Sequence, residues 1–281
     1  MQQEQSDWLA SLAFLELSGI DALCADPTTL EQIAQLEHAK TAWRTPLIKQ
    51  PRPAALTQTP EPAKPRFEKK TPPPPAAEAP AIEPAPKLEL PDEADKALQF
   101  IAEHCSSCTR CPLHQTRTNV VPGVGNPHAK VVFVGEAPGA DEDRQGEPFV
   151  GAAGQLLDRM LASIGFKREE IYIANVLKCR PPGNRNPLPN EVALCQGYLY
   201  QQLETIQPVA IFAMGRFAIQ SLLGHTGSIV SIRNRPARWR ETPVVASYHP
   251  AYYLRTPSRK KDGWFDLLKL KALLDQANSA P

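Results

Sequence analysis

Ala129-Lys-Val-Val-Phe-Val-Gly-Glu-Ala-Pro-Gly-Ala-Asp-Glu-Asp143, continued by Gly146-Glu-Pro-Phe-Val-Gly-Ala-Ala-Gly154, is the stretch that decides the fold. Residues 129–134 form an apolar, β-branched run that reads as a buried strand. Gln155-Leu-Leu-Asp-Arg-Met-Leu161 carries its apolar residues at helical spacing. Glycines, prolines, acids and Phe149 therefore lie between a strand and a helix, at the strand's carboxyl end, where open α/β sheets place their ligands. A βα connection usually takes only a few residues. One running from about Gly135 to Gly154 reads as a functional site, stiffened by prolines and opened to close approach by glycines.

Outward from this stretch the elements alternate. Strands are expected at Ile171–Asn175, Val209–Ala213 and Val244–Ser247, and helices near 154–164, 189–205, 216–223 and 259–277. A basic hairpin or strand pair is expected near 229–240, and Asp92 to His104 reads as a helix leading into a cysteine cluster. Strand–helix alternation over this length predicts an α/β fold, a three-layer sandwich with a central parallel sheet and helices on both faces.

The 30 prolines of the 281 residues are unevenly placed, with fourteen between Pro46 and Pro91. Such a segment lacks the apolar area to offset its ordering entropy. Residues 45–92 are therefore expected to be a disordered, proline-rich linker, and 93–281 a folded domain long enough for a substantial core. Residues 1–44 read as a short helical leader: Ser6 and Asp26-Pro27 are start signals, and Trp8, Leu12 and Leu15 share a face. Two short helices ahead of a spacer suit a docking element for a partner protein; the alternatives are a poorly ordered leader or a helical pair folding back on the core. No apolar run approaches membrane-spanning length, and the N-terminus lacks the basic start of a secretory signal. A cytoplasmic monomer with no membrane contact is expected.

A net charge of +1 conceals a split, because residues 178–261 hold twelve Lys and Arg against three Asp and Glu. These bases fall on expected loops, which suits a polyanion such as a nucleic-acid backbone. Of six cysteines, Cys24 stands alone; Cys105, Cys108 and Cys111 are spaced two apart, and Cys179 and Cys195 lie downstream with fifteen residues between them. A zinc site would more usually show two close pairs. Three cysteines at this spacing, followed by Pro112 and completed by distant ones, favour a four-iron cubane and leave five candidates for four positions.

Taken together, Cys108-x-x-Cys111-Pro-Leu, Gly135-Glu-Ala-Pro-Gly-Ala-Asp-Glu-Asp143, Gly146-Glu-Pro-Phe-Val-Gly-Ala-Ala-Gly154, Asn175-Val-Leu-Lys-Cys-Arg-Pro-Pro-Gly-Asn184 and Tyr248-His-Pro-x-x-x-Leu-Arg255 resemble a bacterial family 4 (iron–sulfur) uracil-DNA glycosylase over roughly residues 95–275. The resemblance implies a repair enzyme that flips uracil out of DNA, hydrolyses its N-glycosidic bond and leaves an abasic site. It implies a structural 4Fe–4S cluster on Cys108, Cys111, Cys179 and Cys195, with Cys105 an extra thiol. Phe149 would stack on the extruded base, and the Asn175 amide would pair with uracil N3 and O4, an orientation that disfavours cytosine. His249 would face the negative charge developing at uracil O2. In the wider superfamily an Asp before the proline activates water; here that position is Ala137, so Glu136 beside it is a candidate to orient the water or contact the base, with Asp141 and Asp143 as further candidates for the water. Gly139 and Glu142 complete the expected substrate contacts, with Glu142 placed to crowd uracil C5 against thymine's methyl. Arg180, Arg185 and Arg255 are the expected DNA contacts, with Leu254 or Tyr253 a candidate wedge. The competing reading is an iron–sulfur DNA-binding or electron-transfer protein without glycosylase activity.

Overall fold

The computed structural model describes residues 86–278. In chain order its helices and strands are α1 (Ala94–Ser106), β1 (Val124–Gly125), β2 (Val131–Gly135), α2 (Ala140–Gln145), α3 (Ala152–Ser163), β3 (Tyr172–Asn175), α4 (Pro189–Ile206), β4 (Ala210–Met214), α5 (Arg216–Leu223), α6 (Ile229–Arg233), β5 (Arg238–Trp239), β6 (Thr242–Ser247), α7 (Pro250–Arg255) and α8 (Lys260–Asn278). The strands form one sheet in the order β1-β3-β2-β4-β6-β5. The four inner strands are parallel, while β1 and β5 close the edges as antiparallel two-residue strands.

Near-continuous apolar runs make the inner strands because both sheet faces are covered. The period-2 alternation divides their side chains cleanly. Val132, Val134, Ala174, Ile211, Ala213, Val244 and Ala246 face α1, α4 and α5. Phe133, Ile173, Phe212, Met214 and Val245 face α3 and α8, with the Phe133 and Phe212 rings 5.0 Å apart. Each of these rings is fully buried, a contribution of about 1.5–3 kcal/mol. The mostly parallel α/β sheet is thus as expected, and its order reverses direction around β2. That places the carboxyl ends of β2, β3, β4 and β6 around one crevice.

Three details differ from the sequence reading. The connection after β2 contains a helix, α2, which starts at Gly139 and stops at Gly146 in the left-handed conformation (φ 79°). Residues 229–233 are helical rather than extended, despite their β-branched content. Ser228 caps that turn by accepting from the Ser231 N–H, and Arg233 is drawn onto Asp266 and Asp262 of α8. Only β5, turning through Arg240, forms the expected hairpin, and it pairs with β6. Finally, the last residues of the expected spacer lie against the fold. The Gln201 side chain accepts from the Leu88 N–H at 2.8 Å and donates to the Pro86 carbonyl at 3.1 Å, while Leu88 and Leu90 pack on the core. The leader (1–44) and the linker to residue 85 lie outside the described residues.

Candidate active site

The crevice opens into a cleft of about 520 Å³, within the range of small-molecule sites. Its lining includes Glu136, Ala137, Gly139 and Glu142 after β2, Phe149 before α3, Asn175 at the end of β3, and His249 after β6. Arg185 and Arg255 stand at its rim. The structure thus gathers every residue expected at the base pocket from four separate segments. Arg180 lies one residue before Pro181, a buried lining residue, with its Nε donating to Asn184 at 2.7 Å.

Asn175 sits opposite Gly135 in the sheet register and is 1 % exposed. Its Oδ1 is buried without a hydrogen-bond partner. Buried acceptors are nearly always satisfied, so an orphan at the floor of a cleft marks a place for a ligand donor. Phe149 carries φ of 56°, a left-handed conformation that a bulky side chain seldom adopts. Gly154 makes this possible, because a Cβ there would stand 1.8 Å from the Phe149 carbonyl oxygen. The ring is turned inward, buried, and stacked on His249 with centroids 5.4 Å apart and planes at 28°.

The His249 ring is oriented from behind: Nδ1 accepts from the Ala251 N–H at 3.2 Å in the first turn of α7. Burial, with Arg255 adding to it, lowers the His249 pKa to about 4, against a smaller opposing pull from Glu142. The ring is therefore neutral at pH 7. With Nδ1 accepting, its proton resides on Nε2, and the imidazole is a hydrogen-bond donor. Glu136 is held by burial above the ordinary carboxylate range, with Arg216 pulling the other way.

The neighbouring acids act within the loop. Glu142 accepts from the N–H groups of Gly139 (3.1 Å), Val150 (3.0 Å) and Gly151 (3.0 Å), so its two oxygens tie the start of α2 to the start of α3. Asp143 is 4 % exposed and accepts from the Thr118 and Asn119 amides. Arg185 forks onto Glu191, at 2.6 and 2.9 Å, and that carboxylate, 1 % exposed, also accepts from the Leu188 N–H. Burial opposes ionisation of Glu191, but these partners outweigh it and lower its pKa. Arg185 is thus the brace of the basic loop. Arg233, Arg240 and Arg259 are paired with acids as well, so the positive count from 178 to 261 overstates the charge free to meet a polyanion.

Behind the loop, Cys105, Cys108, Cys111, Cys179 and Cys195 line one cavity of about 20 Å³ with Arg117, Lys178 and Tyr198. Burial raises the pKa values of the Cys105, Cys111, Cys179 and Cys195 thiols, to about 12 for Cys105. Arg117 donates to Cys179 Sγ at 3.2 Å and to the Cys108 carbonyl at 2.9 Å; the Lys178 N–H donates to Cys195 Sγ at 3.3 Å. Soft sulfur donors backed by two cations suit a thiolate-ligated cluster. Among the described residues, no group of three or more His, Cys, Asp or Glu side chains converges as a single metal ion would require.

Comparison with known proteins agrees with this geometry. The family model described as the uracil DNA glycosylase superfamily matches residues 122–271. The type-4 uracil-DNA glycosylase of Archaeoglobus fulgidus is 49% identical over 186 residues, which is 63% of this chain and 94% of the relative. The chain belongs to the uracil DNA glycosylase superfamily. Within it the type-4 enzymes stand near: that of Thermotoga maritima is 45% identical over 168 residues (59% of this chain, 88% of the relative), and that of Sulfurisphaera tokodaii 42% over 186 (63% and 84%). This uracil-DNA glycosylase superfamily chain has site residues that motif reading did not single out. Arg117 and Glu191 act through partners between three and 62 positions away, and no motif announces them.

Proposed function

We propose that the chain is a uracil-DNA repair glycosylase that extrudes uracil into the cleft and hydrolyses its N-glycosidic bond. The observation that carries this reading is the orphaned Asn175 Oδ1, buried beside an inward-facing Phe149. An amide with a free acceptor matches the N3–H of uracil, and its NH₂ matches O4; cytosine reverses both. Phe149 and His249, already stacked, form an aromatic wall for the base. In the transition state the C1′–N1 bond breaks and its electron pair moves into the uracil ring toward O2. The Nε2–H of neutral His249 is the donor for that oxygen, and its neutrality means that stabilisation comes from a hydrogen bond without loss of the proton. Glu136, at the cleft wall next to Ala137, orients the water whose oxygen bonds to C1′; one water proton ends on the departing base or solvent.

The cysteine cavity is assigned to a 4Fe–4S cluster on Cys108, Cys111, Cys179 and Cys195, leaving Cys105 as a neighbouring thiol. Held by these cysteines, such a cluster would supply no chemistry at the glycosidic bond and would join the start of the loop at Cys179 to α4 at Cys195. Arg180 and Arg255 are the phosphate contacts, and exposed Leu254 of α7 is the wedge into the vacated stack. Tyr253, by contrast, is 1 % exposed and bonded to Ser247, so it holds α7 in place. Residues 1–44 would serve as a docking element for a replication or repair protein in the cytoplasm.

The test is base release from a labelled oligonucleotide carrying one uracil, beside thymine and cytosine controls and Asn175→Ala and His249→Ala variants. Abasic product from uracil alone, strongly reduced in both variants, is expected. Absence of product from iron-loaded wild-type protein refutes the assignment and favours the binding or electron-transfer reading.

A further inference from the structure

Lys178 stands between the cysteine cavity and the base-reading asparagine, and neither site accounts for it. It is 1 % exposed. Its Nζ donates to the Asn175 carbonyl at 2.9 Å and to Gln202 Oε1 at 2.7 Å; Gln202 in turn donates to the Pro122 carbonyl at 2.8 Å and the Tyr172 hydroxyl at 3.2 Å. A buried lysine is costly unless its ammonium is fully engaged, so its geometry calls for an explanation.

The sheet supplies one. The Val176 N–H donates to the Gly135 carbonyl, so that peptide's amide points at β2. In a trans peptide the Asn175 carbonyl then points to the opposite side, toward β1. β1 pairs Val124 with Ile173 and runs antiparallel. Carrying that register on brings Pro122 opposite Asn175, and proline has no N–H to offer. The carbonyl of the residue that reads the base would be orphaned just where the strand ends. The Lys178 ammonium takes the place of the missing donor, and Gln202 closes the gap by holding Lys178 with one end of its amide and Pro122 with the other.

We propose that Lys178 is a positioning residue for base recognition, fixing Asn175 in the cleft by replacing a sheet hydrogen bond that Pro122 cannot make. This inference rests on the glycosylase reading and deepens it. Because the side-chain acceptor of Asn175 has no protein partner, the backbone is what holds that amide on target. The same residue lies on the wall of the cysteine cavity, so the sulfurs and the amide that reads the base share one buried lysine.

The experiment uses the full iron-loaded chain and the variants Lys178→Met, Asn175→Ala, the double variant and Gln202→Leu. Single-turnover uracil excision, inhibition by free uracil, iron content and circular dichroism are read together. A displacement of about 1 Å at a recognition group costs on the order of 100-fold. Lys178→Met is therefore expected to lose roughly 10- to 100-fold in excision and to weaken inhibition by uracil, with iron and helicity retained. The double variant should be no worse than Asn175→Ala, since both changes remove one function. Excision by Lys178→Met within about twofold of wild type overturns the proposal, as does a double variant whose loss is the product of the two. Should Lys178→Met lose its iron or fail to fold, Gln202→Leu decides. It leaves the cation beside the sulfurs but frees its far end, so weakened excision and uracil inhibition support the role and wild-type behaviour overturns it. Wild-type protein that releases no uracil refutes the glycosylase reading instead, a separate outcome.

Discussion

Replacing Gly135 by alanine adds one methyl group at the point where the base pocket is tightest. Gly135 does not adopt a left-handed φ, so the backbone accepts alanine, and the consequence is purely one of space. The new Cβ would lie 2.3 Å from Asn175 Oδ1, 2.7 Å from Phe149 Cζ and 2.8 Å from Phe149 Cε2. Ordinary contact begins at 3.4 Å, so the amide oxygen must retreat by about 1 Å and the ring by somewhat less. Both are the groups that hold the base. Phe149 cannot swing freely, because its strained backbone is wedged against Gly154. Overpacking of this kind costs about 1–3 kcal/mol of stability. The catalytic effect should be larger in proportion: a 1 Å displacement of a recognition group is worth on the order of 100-fold, or about 2.7 kcal/mol of activation free energy. Single-turnover excision of uracil from a labelled oligonucleotide, beside urea unfolding of the same protein, measures both. Gly135→Ala that excises within threefold of wild type would mean that Asn175 and Phe149 are not held where the base binds, and the pocket assignment would fall.

Glu142→Gln leaves one oxygen for Val150 and Gly151 but turns an NH₂ toward the Gly139 N–H; a stability loss of about 1–3 kcal/mol is expected by urea unfolding, and an unchanged midpoint contradicts the loop-tie role. Burial holds Glu136 above the ordinary carboxylate range, so excision should fall as pH drops through that raised pKa, and Glu136→Gln should flatten this acid limb while lowering the plateau; an acid limb of unchanged shape removes Glu136 from water activation. His249 titrates near pH 4 in the fold against about 6.5 when unfolded, so between these values the unfolded chain binds more protons and stability falls as pH falls; in His249→Gln the unfolding free energy should lose less between pH 6.5 and 4, and an identical slope refutes the depressed value. Cys179→Ser should lose most of the expected iron, about four atoms per chain, whereas Cys105→Ser should keep it; iron retained in the first or lost in the second reverses the assigned ligand set.

The inner strands and long helices were legible in the sequence because their apolar periodicity is strong and both sheet faces are buried. Val131–Val134 could be little else than a central strand. The pocket residues were legible because short motifs keep them near strand ends. What escaped was whatever depends on distant partners. Ile229–Ile232 reads locally as strand-like, and only its Ser228 cap and the pull of Asp266 on Arg233 make it helical. Arg185 reads locally as a phosphate ligand, and nothing in its own segment shows that Glu191, six residues on, holds its guanidinium. Leu88 and Leu90 lie in a proline-rich stretch whose composition predicts no packing, yet both pack on the core and a single glutamine on α4 fastens Pro86 and Leu88. Lys178 sits inside a recognisable motif, but the orphan carbonyl it serves is created by Pro122, a residue far off in the sequence, two positions before β1.

The brevity of β1 and β5 has a consequence for how the protein keeps company with itself. A sheet's outermost strand offers unpaired amides on which a second sheet can grow. Here each border is two residues long and antiparallel to its neighbour, and the long apolar strands lie inside. A partner strand arriving at either border would find too few rungs to nucleate on. The four strands most prone to aggregate are shielded by the two shortest, leaving the crevice at their carboxyl ends as the open face of the sheet.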